Sequence, residues 1–246
     1  MSEESLKGYL LKPPSRDKWE RIGIQKRAGI LVPLFSLYSK NSVGIGDFGD
    51  LKLLIGWAKL SGNSIIQLLP LNELGYLFCP YDSISSFALE PAYISLKDIP
   101  GANKNRVKKK LIQLKKEFPA GKPHIDYRIK KRKLEVLWDI FTKEDRHNSE
   151  ELERFKEENG YWINDFALFK ALRDYHRGAP WYEWEERYKN RNVSQLEIFR
   201  KEHEKDILFQ IWVQWQLYKQ LREVKDYAGS EKVLLKGDLP LLVSRA

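Results

Sequence analysis

The stretch from Gly29 to Leu71 constrains the fold most. Gly29-Ile30-Leu31-Val32-Pro33-Leu34 is a short apolar run bounded by breakers, the pattern of a buried strand. Asp47 then stands where a helix N-cap belongs, and Asp50 adds negative charge to the first turn, where the helix dipole favours it. Phe48, Leu51, Leu54, Ile55 and Ala58 repeat along one helical face, and Gly62 occupies a C-terminal cap position. Ser64 to Leu71 reads as a second buried strand. Strand, helix and strand in this order form a βαβ unit with parallel strands, so the chain is expected to be α/β.

Beyond Leu71 the periodicity stops. Asn72 to Tyr93 carries Pro80, Tyr81, Asp82, Phe87 and Pro91 without a helix or strand pattern. A long loop rich in aromatics and prolines at the carboxyl end of a parallel strand is a place where α/β proteins build sites. From Pro100 to about Glu231 the pattern is helical. Ser149 reads as the cap of one helix and Ser194-Gln195-Leu196-Glu197 as a capping box that opens a long helix closed near Gly229. Lys232 to Val243 then reads as a third buried strand. The expected division is 1–100, the first two strands and their loop; 101–231, a helical insertion; and 232–246, the third strand.

Composition narrows the function classes. Aromatic residues make up 13% of the 246 residues, which argues for a packed core rather than disorder. No apolar run approaches a membrane span, and the first twelve residues lack a signal-peptide core, so a cytoplasmic protein is expected. Cys79 is the single cysteine, and His124, His147, His176 and His203 stand in no ligand spacing, so neither metal nor cofactor is expected. The net charge of +9 gathers in two clusters, Lys104 to Lys116 and Arg128 to Lys133. Val107, Leu111, Leu114 and Phe118 recur at helical spacing between the first set, which makes the clusters solvated faces of amphipathic helices. No nucleic-acid signature accompanies the charge.

Several segments in order resemble the amylomaltase family of 4-alpha-glucanotransferases. They are Ala28 to Asp50; Gln67-Leu68-Leu69-Pro70-Leu71 followed by Pro80-Tyr81 and Ser85-Ser86-Phe87-Ala88; Phe166 to Leu172; Pro180-Trp181-Tyr182-Glu183-Trp184; and Gly237-Asp238-Leu239-Pro240 inside the last strand. The resemblance implies the first three strands of a (β/α)8 barrel with a large helical insertion. It also implies retaining transfer of α-1,4-glucan segments between maltooligosaccharides, through a carboxylate nucleophile and a carboxylic acid/base about 5 Å apart. No cofactor, nucleic acid or membrane belongs to that chemistry.

The same resemblance assigns candidate substrate contacts. Tyr81, in the Pro80-Tyr81 motif, matches a tyrosine that lines the subsite of the sugar being cleaved, and Asp238 matches an aspartate at the end of the third strand. Cys79 stands where the family has a serine, and Ala88-Leu89-Glu90-Pro91 replaces Ala-Gly-Asn-Pro, so the loop is expected to deviate there. The catalytic pair is expected beyond Ala246. Asp82, Glu90 and Asp238 are the carboxylates nearest strand ends, and none matches the family's catalytic motifs. The expected protein is therefore a front piece of the enzyme, inactive alone, that either docks a separate C-terminal polypeptide or is a remnant without activity; the alternative is a glucan-binding protein without turnover. Trp212 and Trp215 read as core. Trp181 and Trp184 fit either packing or sugar contact, and Gln67 either a barrel interior or a backbone bond.

Overall fold

The computed structural model describes residues 3–12, 14, 16–75, 77–100, 102–143 and 149–245, so His147 and Ala246 lie outside the described residues. Helices α1 (Glu3–Leu10) and α2 (Arg16–Ile22) precede strand β1 (Gly29–Val32), helix α3 (Phe48–Leu60) and strand β2 (Ile65–Leu68). A two-residue strand β3 (Asp82–Ser83) lies in the following loop. Seven helices come next: α4 (Lys104–Glu117), α5 (Arg128–Lys143), α6 (Glu150–Glu158), α7 (Gly160–Tyr175), α8 (Glu186–Lys189), α9 (Val193–Glu202) and α10 (Glu204–Ser230). Strands β4 (Leu234–Lys236) and β5 (Leu242–Val243) end the described chain.

β1, β2 and β4 form a parallel sheet in the order β1-β2-β4, so the third strand returns beside the second after the helical stretch. Asp47 accepts from the Gly49 and Asp50 amides, while Asp50 accepts from the Asp47 amide, a reciprocal cap that starts α3. Gly62, at φ +77°, turns the chain out of that helix into β2. Gly46 is required by space: a Cβ there would lie 2.0 Å from the Leu34 carbonyl oxygen.

Only one face of the sheet is covered. Ile30, Ile66 and Leu235 share a row and join the core beneath α3 and α10. The opposite row holds Leu31, Gln67 and Lys236, with Leu31 60% exposed. Both strands read as buried are thus buried on one side, with the other face open among the described residues. A short apolar run looks the same whether one face or both are covered.

The reading of Lys232 to Val243 as one buried strand also changes. β4 ends at Lys236, the Gly237-Asp238-Leu239-Pro240 segment lies between strands, and β5 pairs in parallel with β3 in a second small sheet. Leu239, Leu241 and Leu242 face solvent, with Leu241 82% exposed. Ser149 caps α6 as expected. The cap of α9, however, is Asn192, which accepts from the Gln195 amide at 3.2 Å, and the helix breaks at His203 before α10. Asn at the N-cap competes as well as Ser, so a neighbouring Ser-x-x-Glu match was misleading.

Candidate functional site

The loop after β2 is ordered by its own backbone. The Glu73 amide donates to Ala88 O at 2.8 Å, the Ile84 amide to Glu73 O at 2.9 Å, and the Gly75 amide to Asp82 O at 3.0 Å. Within it, the Asp82 amide donates to Cys79 O at 2.9 Å and closes a tight turn over Cys79-Pro80-Tyr81-Asp82. The amides of Leu242 and Ser244 then donate to Tyr81 O and Ser83 O at 2.9 and 2.7 Å, stitching the segment after β4 onto this turn.

That stitching brings the two principal candidates together. The Tyr81 hydroxyl donates to Asp238 Oδ2 at 2.8 Å, although the residues are 157 positions apart. The other oxygen, Oδ1, accepts from the Leu239 amide at 2.9 Å, which fixes the carboxylate's orientation. The hydrogen bond to Asp238 holds the Tyr81 hydroxyl above its ordinary pKa, so it stays protonated and remains a donor. Both residues lie past the carboxyl ends of parallel strands, Asp238 two positions after β4 and Tyr81 in the loop after β2. Cys79 and Pro80 are half-buried in the same turn, and the Cys79 thiol is free.

Beneath the turn lies an ionic floor. Glu73 and Glu90 are both buried. Lys130 of α5 reaches Glu73 Oε1 at 3.1 Å and Glu90 Oε2 at 2.9 Å, and Lys170 of α7 reaches Glu73 Oε1 at 2.7 Å. Glu90 also accepts from the Leu74 and Ala92 amides at 2.9 and 3.0 Å. Burial pushes the Glu73 carboxyl upward, but Lys130 and Lys170 outweigh it and hold the pKa below its ordinary value. Lys133, wholly buried, donates to Ala92 O and Ile94 O at 2.7 and 2.9 Å and stands 3.8 Å from Asp47. Two glutamines of α10 complete the clamp: Gln214 pairs reciprocally with the Leu89 amide and carbonyl, and Gln220 with those of Ser95.

One expectation changes here. The second basic cluster is not wholly a solvated face, because Lys130 and Lys133 turn inward to carboxylates and carbonyls. Leu89 replaces the family's glycine without left-handed backbone, and Gln214 satisfies its peptide groups. Glu90 is held by Lys130 and two amides, so it forms part of the floor. Glu73 and Lys170 were not singled out from the sequence. The available signal was Lys170, a lysine within the apolar run Phe166 to Leu172; Glu73, in the aperiodic loop after β2, carried none.

Sugar-type side chains also separate by burial. Trp212 is buried and Trp215 packs against the core. Trp184 is 6% exposed and donates from its indole nitrogen to Ala179 O at 2.8 Å, whereas Trp181 is 41% exposed. Among the described residues no three His, Cys, Asp or Glu side chains form a group able to hold a metal ion, and no helix is long and apolar enough to cross a membrane.

Comparison with known proteins gives the chain a family. A family model described as 4-alpha-glucanotransferase matches residues 32–246. The 4-alpha-glucanotransferase of Chlamydia caviae is 35% identical over 240 residues, covering 94% of this chain and 44% of that protein. That of Chlamydia pneumoniae is 36% identical over 241 residues, covering 96% and 45%. The amylomaltase from Streptococcus agalactiae, solved in complex with acarbose, superposes with a TM-score of 0.71 at 25% identity, over 89% of this chain and 44% of that one. The chain thus spans less than half the length of these relatives. With the match running from β1 through β5 and enclosing both Tyr81 and Asp238, the chain belongs to the 4-alpha-glucanotransferase family.

Proposed function

We propose that this chain forms the front of an α-1,4-glucan site and serves retaining transfer of glucan segments between maltooligosaccharides. The hydrogen bond between Tyr81 and Asp238 carries this reading. An aromatic face beside a fixed carboxylate suits a glucose ring, whose faces are apolar and whose rim is hydroxylated. The ring also faces the positive charge that develops at an oxocarbenium-like centre. Cys79 and Pro80 shape the turn that presents it.

The nucleophile and acid/base belong to the part of the relatives' length that this chain does not match, on the same or a separate polypeptide. The one-sided sheet supports an incomplete (β/α)8 barrel in which Leu31, Gln67 and Lys236 face the interior. In that barrel, residues 1–100 and 232–246 supply strands and 101–231 a helical subdomain. Binding without turnover is the second reading, favoured by the engagement of Glu90 with Lys130 and backbone amides.

The test is maltoheptaose added to the chain alone and to the chain mixed with the unmatched half of a relative. Binding alone, with chain-length redistribution only in the mixture, supports transfer. Binding without redistribution in either sample supports the second reading. An absence of binding in both overturns the site.

A further inference from the structure

A cavity of about 260 Å³ lies between α7, the turn after it, α8 and α9, apart from the Tyr81 turn. Phe169 and Leu172 of α7 form its apolar floor. Trp184 makes one wall, with its ring stacked on His176 at 5.0 Å and its indole nitrogen bonded, so it cannot swing. Trp181 also lines the cavity and is 41% exposed, so part of its indole surface is open to solvent.

The rim is polar without offering a free charge from its own residues. Arg191 pairs with Asp165 at 3.1 Å and Lys189 with Glu186 at 3.5 Å. Those pairs leave donors and acceptors available but little net field to select an ion. A partly open aromatic surface, an apolar floor and a neutralised hydrogen-bonding rim match a neutral polyol with flat apolar faces. The volume lies just below the usual range of ligand sites, about 300–1,000 Å³, and suits one or two sugar rings rather than a large cofactor.

The cavity is also connected to the first site. Tyr182, next to Trp181, lies under the Arg245 guanidinium at 5.3 Å, and Arg245 follows β5, which pairs with the strand beside Tyr81. We infer that the Trp181 cavity is a second glucan-holding subsite, which retains a remote part of a chain whose other end occupies the Tyr81–Asp238 site. This inference rests on the α-glucan reading for the identity of the sugar, and on the cavity alone for its place.

The test follows indole N–H resonances of the full chain in ¹⁵N-edited NMR, with the Trp181 signal assigned by Trp181→Ala. Maltoheptaose is expected to move that signal, and inorganic phosphate to leave it in place. The movement should persist in Tyr81→Phe and Asp238→Asn. Trp181→Ala should weaken maltoheptaose binding about tenfold, the scale of one aromatic contact, with an unchanged unfolding midpoint because the side chain is partly exposed. A Trp181 signal that stays put at saturating maltoheptaose overturns the subsite, as does one that responds to phosphate. Movement at Trp181, with affinity indifferent to Tyr81 and Asp238, upholds the subsite while sinking the first site. The reverse pattern sinks the subsite alone.

Discussion

Beneath the turn that carries Tyr81, Glu73 and Glu90 are buried against Lys130 and Lys170, with backbone groups closed by Gln214 and Gln220. Beyond β4, the segment that carries Asp238 presents Leu239, Leu241 and Leu242 to solvent and is held by a two-residue strand pair. The site therefore has a rigid floor and a lightly anchored roof. Buried charge makes the floor unforgiving, since each ion has surrendered its water and relies on its partners. Exposed apolar residues make the roof tolerant of substitution, because there is little packing to lose.

The contrast is tested most severely by Lys130→Met. Removing this one cation leaves buried Glu90 without an ion-pair partner and Glu73 with Lys170 alone, and a loss of about 3–5 kcal/mol is expected in urea unfolding. A loss below about 1 kcal/mol would break the claim that the floor is ionic. Adding Glu90→Gln to that variant should recover part of the loss, since Glu90 is the buried carboxylate left without a cation while Glu73 keeps Lys170.

A second test uses pH. Burial raises the Asp47 carboxyl from 3.8 to about 6, against the pull of nearby Lys133. A raised folded pKa contributes stability that is complete below 3.8 and is lost as pH rises through about 6. Glu73 has the opposite sign: its lowered pKa contributes stability present above 4.5 and lost as pH falls through its folded value. Asp47→Asn keeps a capping side chain and removes only the first contribution. The stability of the wild-type chain relative to this variant should fall by roughly 2–3 kcal/mol between pH 4 and pH 7. A flat difference across that window would remove Asp47 from the buried charge system.

The smallest effect belongs to the roof. Leu241→Ser should change unfolding stability by no more than about 0.5 kcal/mol. A larger loss would mean that the segment after β4 is packed rather than lightly anchored, and would erase the contrast with the floor.

Much of this was legible in the residues. The βαβ unit, the Asp47 cap and the return of a third parallel strand follow from local periodicity and capping chemistry, which act over a few residues. The meeting of Tyr81 with Asp238 came through family resemblance, because no local rule links positions 157 apart. Burial was the poorest reading. Leu31 and Leu241 look like core and are exposed, while Lys133 looks like surface and is enclosed. Residue type reports transfer preference, whereas burial depends on what the rest of the chain brings alongside. The ionic floor was hidden for the same reason: Glu73 and Lys170 acquire meaning only when β2, α5 and α7 converge.

The central claim is that Tyr81 and Asp238 act on a glucan as one unit, and a double-mutant cycle on maltoheptaose binding measures it most directly. Affinities are compared for the unaltered chain, Tyr81→Phe, Asp238→Asn and the double variant. Each single change is expected to weaken binding, and the double change to do little further harm, giving a coupling of about 1 kcal/mol. Strictly additive losses would mean that the two side chains touch the sugar independently or not at all, and would contradict the account.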